Sequence, residues 1–136
     1  MRELSPERLW IGNAGDSRQP RILFETGIQA VVSVAMEEPI PQLPAQFIVV
    51  RIPLYDGEGN AAVTLRLAVD TVVALVESRT PTLLTCSAGL SRSPLVAAFA
   101  LAKVTGTPPL ELVRAWSQSA RFDLHPLLLR DLQSLF

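Results

Sequence analysis

One stretch limits what this chain can fold into. The apolar run Thr82-Leu83-Leu84 leads through Thr85 to Cys86, five residues separate Cys86 from Arg92, and Ser93 follows. Beyond it, Pro94-Leu95-Val96-Ala97-Ala98-Phe99-Ala100-Leu101-Ala102 carries no charged side chain and reads as a helix enclosed by protein. The order is therefore buried strand, tight loop with Gly89 inside it, then helix N-terminus. Loop N–H groups and the positive end of the helix converge on one point there, which cradles an anion. A cysteine at that point is expected to ionise easily, and an arginine closing the loop grips a phosphate with its planar fork.

The 136 residues suffice for one domain with a full core, 1–136. An apolar fraction of 49% against 18% charged excludes a disordered chain. A net charge of −1 leaves no electrostatic footprint for nucleic acid, so an anionic substrate must be attracted locally. Cys86 is the sole cysteine, which excludes an internal disulfide framework or a multi-cysteine zinc site and suits a reducing compartment. Met1 to Glu7 is polar rather than a signal peptide, and the run from Pro94 to Ala102 is too short to span a bilayer. The expectation is a soluble cytoplasmic protein without a membrane partner. Oligomeric state is not readable.

Taken in order, Arg8 to Ile11 reads as a first strand ended by Gly12-Asn13-Ala14-Gly15. Asp16 or Ser17 is expected to cap a helix running to about Thr26, with Pro20 in its first turn and Gly27 as its stop. Ile28 to Ala35 reads as a strand buried on both faces, and the proline-rich segment from Glu37 to Pro44 as a loop. Gln46 to Leu54 is a third strand, ending at the polar Tyr55-Asp56-Gly57-Glu58-Gly59-Asn60. Asn60 is expected to be the N-cap of a long helix to about Ser78. Further helices are expected from Thr107-Pro108 to about Ser119 and from Pro126 to Phe136. Alternating strands and helices predict an α/β fold: a central, mostly parallel sheet of four to five strands with helices on both faces.

A thiolate among N–H donors can attack phosphorus in a phosphate monoester, dividing one hard displacement into two easier ones. Arg92 would hold two phosphate oxygens through the transition state, and Ser93 would donate to the sulfur as it leaves. The departing oxygen needs a proton donor from another loop at the same sheet edge. Asp56 sits at a strand end there, with Glu58 as its competitor.

Cys86 to Ser93 resembles the Cys-x5-Arg-Ser/Thr loop of the cysteine-dependent protein phosphatases, and the interval back to Asp56 resembles that of the dual-specificity branch. Leu9-Trp10-Ile11-Gly12 is similar to the family's opening strand, Ile52-Pro53-Leu54-Tyr55-Asp56 to its acid-loop lead-in, and Arg121-Phe122-Asp123-Leu124-His125-Pro126 to the segment before its last helix. The resemblance implies a protein tyrosine phosphatase-like fold. It also implies Cys86 as nucleophile, Arg92 as phosphate clamp, Asp56 as general acid and then base, and Ser93 as the sulfur's partner. Ser87, Ala88, Gly89, Leu90 and Ser91 would complete the phosphate loop around a phosphorylated protein or peptide, in a cleft open to more than one phosphoresidue. Thr85 stands where the family usually has His, which predicts altered thiol acidity.

No cofactor or metal is required, because Arg92 and the loop amides carry the charge. A sulfurtransferase would have a loop typically one residue shorter. The low-molecular-weight phosphatases place theirs near the N-terminus, whereas Cys86 lies deep in the chain. A phosphoprotein-binding module without turnover is the alternative that Thr85 favours. His125, beside Pro126, reads as a turn residue, Trp10 and Trp116 as core, and Arg121 as structural. The Arg and Glu residues elsewhere read as a solvated surface.

Overall fold

A computed structural model describes residues 1–4 and 8–136. Its centre is one sheet in the order β1-β2-β5-β3-β4, made of Arg2–Leu4 (β1), Leu9–Gly12 (β2), Ala30–Ala35 (β3), Ile48–Leu54 (β4) and Thr82–Thr85 (β5). β1 runs antiparallel to β2 and every other pairing is parallel, so the sheet is mixed. β1 is the strand the sequence reading left out: it is three residues long, two of them charged, and shows no apolar run. Ser5 to Glu7, the rest of that polar N-terminal segment, lie outside the described residues.

Among the described residues the α-helices are Pro20–Thr26 (α1), Ala62–Glu77 (α2), Arg92–Thr105 (α3), Pro109–Trp116 (α4) and Pro126–Leu135 (α5). Strand residues alternate between two cores, as the pleat requires. Val32, Val34 and Leu84 point into the larger one with Leu65, Val69 and Val72 of α2, Leu95 and Phe99 of α3, and Leu128 and Leu132 of α5. Val31 and Leu83 point the other way, onto Leu23 of α1 and Phe47. All six residues of β3 are buried, as expected of a strand covered on both faces. Trp10 and Trp116 are partly buried against the smaller and larger core respectively. No single helix among the described residues is long and apolar enough to cross a membrane.

Two expected helix caps are corrected. Asp16 does not cap α1: its carboxylate accepts from the Asn13 N–H at 2.9 Å, while its own N–H bonds the Asn13 side chain at 2.9 Å. That reciprocal turn spends Asp16 and puts Asp16–Arg18 in a separate 3-10 turn, so α1 starts at Pro20. Ser17 is spent likewise, its hydroxyl bonding the Ala14 carbonyl. Gly27 ends α1 as expected, with φ +88°, a left-handed value that glycine adopts at little cost. Asn60 does not cap α2 either. Ala61 holds that position, because the Asn60 side chain turns back onto Tyr55 and Gly57.

The C-terminal ends of the parallel strands gather at one edge. Gly12 and Ser33 both pair with Thr85, and Ala35 pairs with Leu54 past a bulge. In an open sheet with parallel strands, a ligand is held at this edge.

Candidate active site

The loop after β5 closes around the sulfur of Cys86. Cys86 is buried, its Sγ lies 3.3 Å from the Ser93 hydroxyl, and it accepts the Gly89 N–H at 3.2 Å. Gly89 is needed twice. Its φ is +75°, and a Cβ there would lie 3.0 Å from the carbonyl carbon and oxygen of Gly12. The loop is pinned to the end of β2 by the Ala14 N–H, which bonds the Ser87 carbonyl at 3.0 Å. Thr85, where the resembled family usually has His, is buried in β5.

Arg92 opens α3 and is 4% exposed. Its guanidinium has five N–H donors. Nη1 donates to Glu37 Oε1 at 2.6 Å and to the Leu54 carbonyl at 2.9 Å, and Nη2 donates to Glu37 Oε2 at 2.6 Å. Among the described residues, Nε is buried without a partner. The unused donors are thus the Nε–H and the second Nη2–H, which point side by side from one edge of the plane. That edge is the fork that fits two oxygens of a phosphate. The hydrogen bonds from Arg92 hold the Glu37 carboxyl down at about 2, and Glu37 in turn raises Arg92, so the pair stays charged.

The acid loop follows β4. Asp56 lies over the phosphate loop, where its Oδ1 accepts the Ser91 hydroxyl at 2.7 Å. Asn60 shapes this loop: its Oδ1 accepts the Tyr55 N–H, and its Nδ2 donates to the carbonyls of Tyr55 and Gly57. Glu58 points away from the cleft, with its carboxylate 3.7 Å from Arg130 of α5.

These groups line a cleft of about 290 Å³, with Glu37, Asp56 and Asp123 at its sides and Cys86, Ser87 and Arg92 among its walls. Cys86, Ser93, Arg92, Asp56 and the loop from Ser87 to Ser91 are brought together, and Glu58 is not. Glu37 and Glu38 are the groups the sequence reading missed, having been placed in a proline-rich loop and on a solvated surface. Glu37 is the partner of Arg92, and Glu38 accepts the Ser87 hydroxyl at 2.8 Å while pairing with Arg18. Their signal was position: both follow directly on β3, at the edge where Cys86 also sits. His125 does serve a turn, its Nδ1 accepting the Leu127 N–H at the start of α5. A larger, mostly apolar hollow of about 420 Å³ lies among α3, α4 and α5, near Phe99, Leu110 and Phe136, with Lys103 and Gln133 its polar lining.

The fold matches solved structures over nearly its whole length. Human DUSP28 superposes with a TM-score of 0.82 at 22% identity, covering 96% of this chain and 92% of that one. A mouse putative dual specificity phosphatase complexed with zinc tungstate matches with a TM-score of 0.82 at 22% identity, covering 99% and 90%. The human tyrosine phosphatase-like serine/threonine/tyrosine-interacting protein matches with a TM-score of 0.78 at 14% identity, covering 95% and 91%. At these identities the likeness is one of fold. No curated protein sequence matches the chain. Residues 10–105, from β2 to the end of α3, match the family model described as "Polymorphic toxin system, DSP-PTPase phosphatase", and the chain belongs to that family.

Proposed function

We propose that this chain hydrolyses phosphate monoesters through a phosphoryl group carried on Cys86, acting on proteins or peptides that bear phosphotyrosine, phosphoserine or phosphothreonine. One observation carries this reading: a buried arginine with two parallel donors unused among the described residues lines a cleft that also holds a cysteine sulfur. A buried guanidinium with an unpaired Nε–H calls for an acceptor of matching geometry, and a phosphoryl group is one. The mouse structural neighbour was solved with zinc tungstate, and tungstate is a tetrahedral oxyanion like phosphate.

In the first step the Cys86 thiolate attacks phosphorus. The S–P bond forms as the P–O bond to the leaving group breaks, and Asp56 gives that oxygen its proton. In the second step water attacks phosphorus, Asp56 takes the water's proton, and the S–P bond breaks. Ser93, 3.3 Å from the sulfur, donates to it as it leaves. Arg92 and the loop amides face the charge that builds on the phosphoryl oxygens. The sole thiol suits a reducing compartment such as the cytoplasm.

The test is turnover of para-nitrophenyl phosphate in the presence of a chelator, by wild type and Cys86→Ser, with tungstate binding measured on both. Wild-type turnover that disappears in Cys86→Ser, with a phosphorylated Cys86 trapped by acid quench, supports the reading. A wild type that binds tungstate but turns nothing over between about pH 5 and 8, the span in which a poised acid and nucleophile work, would overturn it. That outcome would favour the phosphoprotein-binding module that Thr85 suggests.

A further inference from the structure

Ser91 lies within the phosphate loop, yet its hydroxyl is spoken for elsewhere. It occupies the N-cap position of α3, where a serine side chain ordinarily accepts an N–H of the first helical turn, and it makes no such bond. Its Oγ instead accepts the backbone N–H of His125 at 2.9 Å and lies 2.7 Å from Oδ1 of Asp56. The His125 N–H can only donate, so the single hydroxyl proton of Ser91 is directed to Asp56. Ser91 is 5% exposed, so water does not compete freely for that proton. The His125 backbone is itself held where α5 begins, since its ring accepts the Leu127 N–H.

A carboxyl whose Oδ1 already accepts a hydrogen bond carries its own proton on Oδ2. Among the described residues, Oδ2 of Asp56 takes part in no hydrogen bond. We infer that Ser91 is a positioning residue for the general acid: its hydroxyl claims Oδ1 of Asp56, so that the proton for the leaving group sits on Oδ2. The inference rests on the hydrolase reading above and goes beyond it by giving Ser91 a role in proton delivery. During P–O cleavage the Oδ2 proton passes to the departing oxygen, while the Ser91 proton stays on Oγ and steadies the carboxylate left behind. Forgoing the cap also leaves the N–H groups of the first turn of α3 available to the phosphoryl oxygens.

The experiment compares a good leaving group, difluoromethylumbelliferyl phosphate, with a poor one, phenyl phosphate. It uses wild type, Ser91→Ala, Ser91→Thr, Asp56→Asn and the double variant Ser91→Ala/Asp56→Asn. Ser91→Ala is expected to lose about tenfold more kcat on the poor leaving group than on the good one, a share of the about 100-fold that a positioned acid supplies. Ser91→Thr restores the hydroxyl and most of the difference. In the Asp56→Asn background, Ser91→Ala adds no further leaving-group dependence, because its route of action is gone. Tungstate affinity verifies that each variant keeps its loop, and Ser91→Gly replaces Ser91→Ala if the alanine variant does not fold. Equal losses on both substrates, or full additivity with Asp56→Asn, would overturn the inference while leaving the hydrolase reading intact. Failure of wild type on both substrates would overturn the hydrolase reading, and the inference with it.

Discussion

Glu37 grips Arg92 by the end of its guanidinium, each carboxylate oxygen 2.6 Å from one terminal nitrogen, and leaves the side edge free. An acidic residue beside a phosphate site is ordinarily a repulsive neighbour. Here it fixes the plane of the guanidinium from one edge and leaves the other, the edge the proposed phosphate would meet, without a partner among the described residues.

Glu37→Gln is therefore expected to weaken oxyanion binding rather than strengthen it. A carboxamide offers one acceptor where the carboxylate offers two, so the guanidinium plane loosens. Glu37 is about half exposed, which limits the loss to about five- to tenfold in tungstate affinity. Titration calorimetry on wild type and variant reads this directly. Tighter binding by the variant would mean that Glu37 competes with the ligand.

The same pair gives stability a pH dependence. The Glu37 carboxyl is lowered from 4.5 to about 2 in the folded protein. Its stabilising contribution is complete above its unfolded value and is lost as pH falls through the folded one. Urea unfolding is thus expected to become easier between pH 4.5 and about 2, with a shallower slope in Glu37→Gln. Because Glu37 is half exposed, added salt narrows the gap between the two proteins.

Gly89→Ala tests the contact between the phosphate loop and the end of β2. The left-handed backbone alone costs about 1–2 kcal/mol in any residue with a Cβ. The new methyl would in addition press on the Gly12 carbonyl at 3.0 Å, and backbone cannot turn aside as a side chain can. A drop in urea midpoint together with loss of tungstate binding is the expected result. Gly59→Ala, with φ +96° but nothing within 4 Å, provides the comparison: strain without collision.

Asn60→Ala tests the acid loop. The side chain closes a ring with the Tyr55 N–H and the carbonyls of Tyr55 and Gly57. Two of these three bonds are exposed, so the stability cost is expected to be only about 1 kcal/mol. Turnover should fall more on phenyl phosphate than on difluoromethylumbelliferyl phosphate, since Asp56 loses its footing. Hydrogen exchange at Tyr55 offers a second readout.

What the sequence made legible was contiguous. Cys86, Arg92 and Ser93 are placed by one loop, so their spacing along the chain is nearly their spacing in space. Asp56 was singled out because strand ends share an edge, and it does line the same cleft as Cys86. The partner of Arg92 comes instead from a segment that is neither periodic nor glycine-rich, and a carboxylate in such a segment looks solvated until the sheet brings it across. Asn60 misled for a related reason: asparagine serves equally well as a helix cap or as the closure of a turn, and only the direction of its side chain decides. β1 escaped because pairing along an edge asks little of a strand of three residues.

The carbonyl of Leu54 receives two hydrogen bonds, one from the Met36 N–H that closes the β3–β4 end and one from Arg92. The clamp is thus assembled from three distant parts of the chain: the turn after β3, the last residue of β4 and the first of α3. A partly unfolded form in which β4 has peeled from the sheet edge keeps the cysteine loop and the Glu37–Arg92 pair but loses the Leu54 acceptor and the placement of Asp56. On the proposed function, an oxyanion that needs all three parts binds the folded protein in preference to such a form, and so shifts the folding equilibrium of the sheet by mass action.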